Sequence, residues 1–133
     1  MSKIIAVDFD GTIVDHQYPD VGREVPGAIH WLKQFQKAGA KLILWTMRSD
    51  GRPDGSTPLA DAVQFCHEHG IEFWGVNTNP GQESWTGSPK AYAHLYIDDA
   101  AFGCPLIENP RMGGRPYVNW AEIGPTVFMW LEK

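Results

Sequence analysis

The chain has 133 residues, enough for a single domain over residues 1–133 built on one hydrophobic core. Its formal net charge of −5 excludes a protein that grips nucleic acid through a broad basic surface, since such binding rests on clustered Lys and Arg. No apolar run approaches the roughly 20 residues of a membrane helix. The amino terminus runs straight into an apolar segment with no signal peptide, and Cys66 and Cys104 lack metal-ligand spacing, so the expected setting is reducing and cytoplasmic, away from any membrane.

Residues 3–9 read as a strand that is apolar on both faces, as in the middle of a parallel sheet. The strand runs into Asp8-Phe9-Asp10-Gly11-Thr12, and carboxylates at the end of a buried strand need compensation for their charge. Residues 12–25 are irregular, with turn signals at Tyr18-Pro19 and Gly22. A helix follows from Pro26 to Gly39, burying Ile29, Leu32 and Phe35 on one face. Lys41 to Thr46 is the second strand and 47–55 a polar loop. Ser56 or Thr57 caps a second helix with Pro58 in its first turn and Gly70 as its stop; His67 and His69 sit near its negative end.

Residues 71–76 form the third strand, and 77–88 a long loop containing Trp85. The fourth strand, Tyr92 to Ile97, ends in Asp98-Asp99. Pro105 to Ile107 reads as a short fifth strand, Met112 to Gly114 as a turn, and Trp120 to Leu131 as a closing helix interrupted near Gly124-Pro125. This alternation indicates an α/β protein with an open, mostly parallel, Rossmann-like sheet and flanking helices. Right-handed crossovers align the strand carboxyl ends along one edge, where ligand sites of such sheets lie. Asp8 and Asp10, Thr46, and Asp98 with Asp99 all reach that edge.

With those residues in place, the chain resembles a haloacid dehalogenase (HAD) superfamily hydrolase of the small, capless phosphatase type. The first family motif corresponds to Asp8-Phe9-Asp10-Gly11-Thr12, the second to Thr46, the third to Lys90 and the fourth to Asp98-Asp99. The resemblance implies a Mg²⁺-dependent phosphomonoesterase working through an aspartyl-phosphate on Asp8. It implies a Mg²⁺ held by the Asp8 and Asp98 side chains and the Asp10 carbonyl, with Asp99 orienting a bound water or Lys90. Asp10 would be the general acid/base, and the backbone near Phe9 and Gly11, the Thr46 hydroxyl and Lys90 would hold the phosphoryl group.

The chemistry of these residue types agrees with that implication. A carboxylate nucleophile splits phosphoester hydrolysis into two easier steps. Its attack on an anionic phosphoryl group needs charge compensation, which a divalent cation with oxygen ligands supplies. Asp10 lies two residues beyond Asp8, hence on the same face of a continuing strand. Seven residues separate Lys90 from Asp98 on the strand that approaches the site, so the segment before Tyr92 must curl back for it to arrive. Arg48 could support or replace it by a bidentate grip on phosphate. His16 reads as a solvated loop residue, and Trp85 can stack on a ring.

Neither residues 13–25 nor residues 77–88 can fold into a cap. The open site suits a phosphorylated small molecule covered by a partner subunit of a homo-oligomer, or a bulkier substrate such as a nucleotide or nucleic-acid end. A receiver-like, non-catalytic metal- and phosphate-binding module is the reading from a different class.

Overall fold

In the computed structural model, residues 2–112 and 114–133 are described. The elements in chain order are β1 (Ile4–Val7), α1 (Ala28–Lys37), β2 (Lys41–Leu44), α2 (Pro58–Glu68), β3 (Gly75–Val76), β4 (Leu95–Ile97), β5 (Leu106–Ile107), a short 3₁₀ turn (Pro110–Met112), β6 (Tyr117–Val118) and α3 (Trp120–Leu131). The turn expected over Met112 to Gly114 depends on Gly113, which lies outside the described residues.

The main sheet has the order β3-β2-β1-β4 with every pairing parallel, an α/β architecture as expected. β1 leads outward through β2 to β3, after which the chain returns to place β4 on the other side of β1. The strand order therefore reverses between β1 and β4, the point at which open α/β sheets bind ligands. In register, Val7 lies opposite Leu44 and Ile97. Hydrogen bonds from the Asp8 amide to the Ile97 carbonyl and from the Trp45 amide to the Val7 carbonyl carry the ladder one residue further. Asp8 and Asp98 thus sit side by side.

The strands are shorter than their apolar runs suggested, β3 most of all, because Glu72 to Trp74 approach β2 through a single bond from the Trp74 amide to the Leu42 carbonyl. The fifth strand forms, yet it leaves the main sheet and pairs antiparallel with β6. α3 runs unbroken through Gly124 and Pro125. Proline there removes one backbone donor, and it sits only six residues into the helix, so the opposed carbonyl belongs to the exposed Ala121. The first turn of α2 is capped from a distance: the Asp50 carboxylate accepts the amides of Leu59 (2.9 Å) and Ala60 (3.0 Å), while Thr57 makes no side-chain cap.

All three helices pack on one side. Ile5 and Val7 of β1 and Leu42 and Leu44 of β2 join Leu32 and Phe35 of α1, Ala62 and Cys66 of α2, and Trp120 and Val127 of α3 in one core. The alternate residues Ala6 and Ile43 face the other way, into a second cluster with Ala91, Trp45, Trp74 and Tyr96. Among the described residues that face has no helix, and the chain between β3 and β4 covers it. This segment is knitted by two buried amides. Gln82 donates to the Ser88 and Lys90 carbonyls and accepts the Tyr92 amide, while Asn79 donates to the Tyr92 carbonyl and accepts the Gly81 amide. No described helix is long and apolar enough to cross a membrane.

Candidate active site

β1 delivers Asp8 and β4 delivers Asp98 and Asp99, and one carboxylate oxygen of each lies within 4.8 Å of the others. Burial of Asp8, a hydrogen bond shared with Asp99 and the charges of Asp98 and Asp99 push its carboxyl up to about 8, against a smaller lowering by the Phe9 amide. Asp98 is also raised, chiefly by burial, against a lowering by the Ala100 amide. Three crowded carboxylates made only of oxygen donors suit a hard divalent cation, whose charge would remove the repulsion. The Asp10 carbonyl accepts no hydrogen bond from any described residue, which leaves it free to join such a site.

The loop after β1 is fixed by Thr12, a fully buried residue. Its hydroxyl donates to Asp8 Oδ2 (3.1 Å) and accepts the Asp99 amide (3.2 Å), tying the two strand ends together. Its carbonyl accepts the Trp120 indole N–H at 2.7 Å, which anchors the site to α3. The motif alone does not single out Thr12, although a threonine four residues past a strand-end aspartate can reach back to it once the chain turns at Gly11.

That turn also brings in His16, whose Nε2 lies 3.0 Å from Asp99 Oδ2. The expectation of a solvated loop residue is thereby corrected: residues 13–25 fold back as a flap, bridged from Val14 to both Asp10 and Glu24, and its Asp15 accepts the Arg23 amide. Gly11 has φ +82, and a Cβ on it would lie 2.2 Å from His16 Nε2 and 2.3 Å from Asp99 Oδ2. Gly11→Ala is expected to cost about 1–3 kcal/mol through backbone strain and displaced side chains, read as a lower melting temperature. An unchanged melting point would contradict the close packing of this loop.

Asp10 and Arg48 meet in a way the sequence did not disclose. Arg48 Nε donates to Asp10 Oδ2 and its NH2 group to Asp10 Oδ1, both at 2.8 Å, in a bidentate pair. The same guanidinium donates to the carbonyls of Pro19, Asp20 and Pro58 and lies between the rings of Phe9 (4.9 Å) and Tyr18 (5.2 Å). It is only 2% exposed. Every nitrogen is committed, so the phosphate grip expected of Arg48 is not its role in this conformation. It ties together Asp10, the flap and the start of α2.

Thr46 stands two residues beyond β2, where the β1–β2 register carries it level with Phe9 and its neighbour Trp45 level with Asp8. Its amide donates to Asn77 Oδ1 (2.8 Å) and its hydroxyl accepts the Arg48 amide (3.1 Å), leaving the hydroxyl proton to give. The amides expected to cradle phosphate are rearranged. The Gly11 amide is spent on the Val14 carbonyl at 2.7 Å and the Phe9 amide on the Asp8 carboxylate, whereas the Asp10 amide has no described partner. Lys90 is exposed, with Nζ 6.0 Å from the Tyr96 ring centroid, and forms no ion pair with the three carboxylates. It lies on the same sheet face as Asp8 and Asp98, because Tyr96 precedes Asp98 by two residues.

The raised Asp8 carboxyl has a consequence for stability. A folded value of about 8 lies above the ordinary 3.8, so the folded chain holds this proton more tightly than the unfolded one. The associated stability is complete below about pH 4 and is lost as pH rises toward 8. Without added cation the protein should therefore melt lower at pH 8 than at pH 6. Mg²⁺ should raise the melting point more at pH 8, and the slope should flatten in Asp8→Asn. A Mg²⁺ shift equal at both pH values would oppose this.

No protein-family model matches the chain, and no curated protein matches it. Among solved structures, the conserved protein coded by a locus from Bacteroides thetaiotaomicron shares 35% sequence identity with it, over 96% of this chain and 90% of that one, with a TM-score of 0.73.

Proposed function

We propose that this chain, which belongs to the same family as the conserved Bacteroides thetaiotaomicron protein, is a Mg²⁺-dependent phosphomonoesterase of the capless HAD type acting through an aspartyl-phosphate. One observation carries the reading: Asp8, Asp98 and Asp99 converge where the strand order reverses, and burial and repulsion drive Asp8 up to about 8. Among the described residues no Lys or Arg pairs with these three carboxylates, and His16, 3.0 Å from Asp99 Oδ2, is the basic side chain in contact with them. The carboxylates of Asp8 and Asp98 and the carbonyl of Asp10 would hold Mg²⁺, with Asp99 beside them. When bound, the cation supplies the positive charge that lets Asp8 ionise and that offsets the phosphoryl oxygens.

In the first step an Asp8 oxygen forms a bond to phosphorus and the ester oxygen departs with the bonding pair. The Thr12 hydroxyl and Phe9 amide fix the attacking carboxylate, and the Asp10 amide and Thr46 hydroxyl are available to the phosphoryl oxygens. The departing oxygen needs a proton, and water must be deprotonated in the second step, both tasks for Asp10. Asp10 must leave the Arg48 fork to perform them. The three carbonyls on Arg48 keep that side chain anchored while Asp10 moves.

A panel of phosphomonoesters incubated with Mg²⁺ tests the reading: inorganic phosphate should be released and EDTA should abolish the release. No release across the panel would overturn it. The clamp on Asp10 favours one second reading, a long-lived Asp8 phosphoryl adduct in a signalling module. Persistence of that adduct for many minutes would support it.

A further inference from the structure

Beyond the carboxylates, the helix-free face of the sheet carries a pocket of about 290 Å³ lined by Trp85, Thr86, Ser88, Lys90, Tyr92 and Tyr96. Its walls are aromatic. Trp85 and Tyr92 meet edge to face with centroids 5.9 Å apart, forming a corner, and the Tyr96 ring carries Lys90 Nζ above it. Trp85 is 63% exposed and Tyr92 45%, so both rings spend apolar surface on solvent instead of on the core. Lys90 has no carboxylate partner among the described residues.

The corner is preformed, because Gln82 bonds to Ser88, Lys90 and Tyr92 and so sets the spacing of the residues that line it. Its Tyr96 wall is the side nearest the acidic centre, while Tyr92 packs on His94 toward the amino end of β4. Tyr96 and Asp98 are two residues apart on one face of β4, about 7 Å along the strand, and Ala6 and Asp8 stand opposite them on β1. A molecule whose phosphate reaches Asp8 can lay its remaining part over this face, toward Tyr96.

We propose that the Trp85–Tyr92–Tyr96 corner is the leaving-group subsite and accepts a planar aromatic ring, with Lys90 meeting an anionic oxygen of the same molecule. The substrate class is then an aromatic or heteroaromatic phosphomonoester, not a small polyol phosphate. The inference rests on the phosphohydrolase reading for its orientation. Open rings supply dispersion and quadrupole contact to a flat π-system, and an unpaired ammonium beside them selects an anion.

The test is direct binding to Mg²⁺-loaded Asp8→Asn protein, which separates recognition from turnover. The probes are 1-naphthyl phosphate, glycerol 2-phosphate and 1-naphthol, followed by the indole N–H resonances, with Trp85 assigned through Trp85→Phe. Naphthyl phosphate should bind about tenfold or more tighter than glycerol phosphate, the scale of one good aromatic contact. It should shift the Trp85 resonance. Trp85→Ala should bring the two phosphates within about twofold of each other, and Trp85→Phe should restore part of the gap. Lys90→Met should weaken naphthyl phosphate and spare naphthol. Equal affinity for the two phosphates, or selectivity that survives Trp85→Ala, would overturn the subsite. If the wild type hydrolyses glycerol phosphate while showing no ring preference, the subsite alone fails. Ring-selective binding with no hydrolysis by the wild type overturns the hydrolase reading and leaves the pocket.

Discussion

Asp8→Asn is expected to lower phosphate release by on the order of 10⁴-fold or more, as removal of a nucleophile does when the remaining groups act as a unit with it. The fold should not suffer. Asn is nearly isosteric, and in the cation-free protein Asp8 already holds its proton into the neutral range because its carboxyl is pushed up to about 8. The amide also removes a charge from a site that contains Asp98 and Asp99. Its melting temperature should therefore equal or exceed that of the wild type, by a margin that grows from pH 6 to pH 8. Phosphate release and thermal melting on the same preparations check both halves. Release within tenfold of the wild type would sink the aspartyl-phosphate mechanism, and a collapse in melting temperature would show that Asp8 is chiefly structural.

Arg48→Met carries the largest expected loss of stability. It removes the partner of the Asp10 carboxylate together with the donors to Pro19, Asp20 and Pro58. Breaking a buried pair in this way costs about 3–5 kcal/mol, because the remaining charge stays partly desolvated. For a domain of this size the melting temperature should fall by roughly 10 °C or more. Adding Asp10→Asn to Arg48→Met removes the stranded charge and should recover about 1–3 kcal/mol, whereas Asp10→Asn alone should destabilise. Denaturant unfolding of the four proteins closes the cycle. Strict additivity would mean that the bidentate geometry carries no coupling, and the account of Asp10 as a clamped acid/base would lose its physical basis.

Much of this architecture is legible along the chain. Apolar runs flanked by turn residues mark β1, β2 and β4 because a strand buried on both faces has to be apolar throughout, and carboxylates at their ends stand out for the same reason. Asp8, Asp98 and Asp99 could thus be foreseen as neighbours. Arg48 could not be placed, since its role depends on how residues 13–25 fold back and present the carbonyls of Pro19 and Asp20, and backbone carbonyls leave no trace in a sequence. His16 and Thr12 reach Asp99 and Asp8 only because Gly11 turns the chain, a conformation that glycine permits without announcing. The fifth strand was visible as β-prone residues, but its partner β6 is two residues long, and a pairing that brief has no periodicity to read. Pro125 reads as an interruption because proline is a strong breaker in isolation, while the packing of α3 against α1 outweighs one missing hydrogen bond.

The segment between β3 and β4 covers one whole face of the sheet, yet the hydrogen bonds that define it run from Asn79 and Gln82 to its own backbone. Such a cover is a cooperative unit in its own right, able to open at a free energy below that of global unfolding. Amide hydrogens around residues 81–92 should therefore exchange before those of β1 and β2, while the helical side stays closed. The same autonomy makes this stretch a natural port for insertions: residues added near Gly87, where even a new side chain would meet open space, lengthen the cover without disturbing a single core contact.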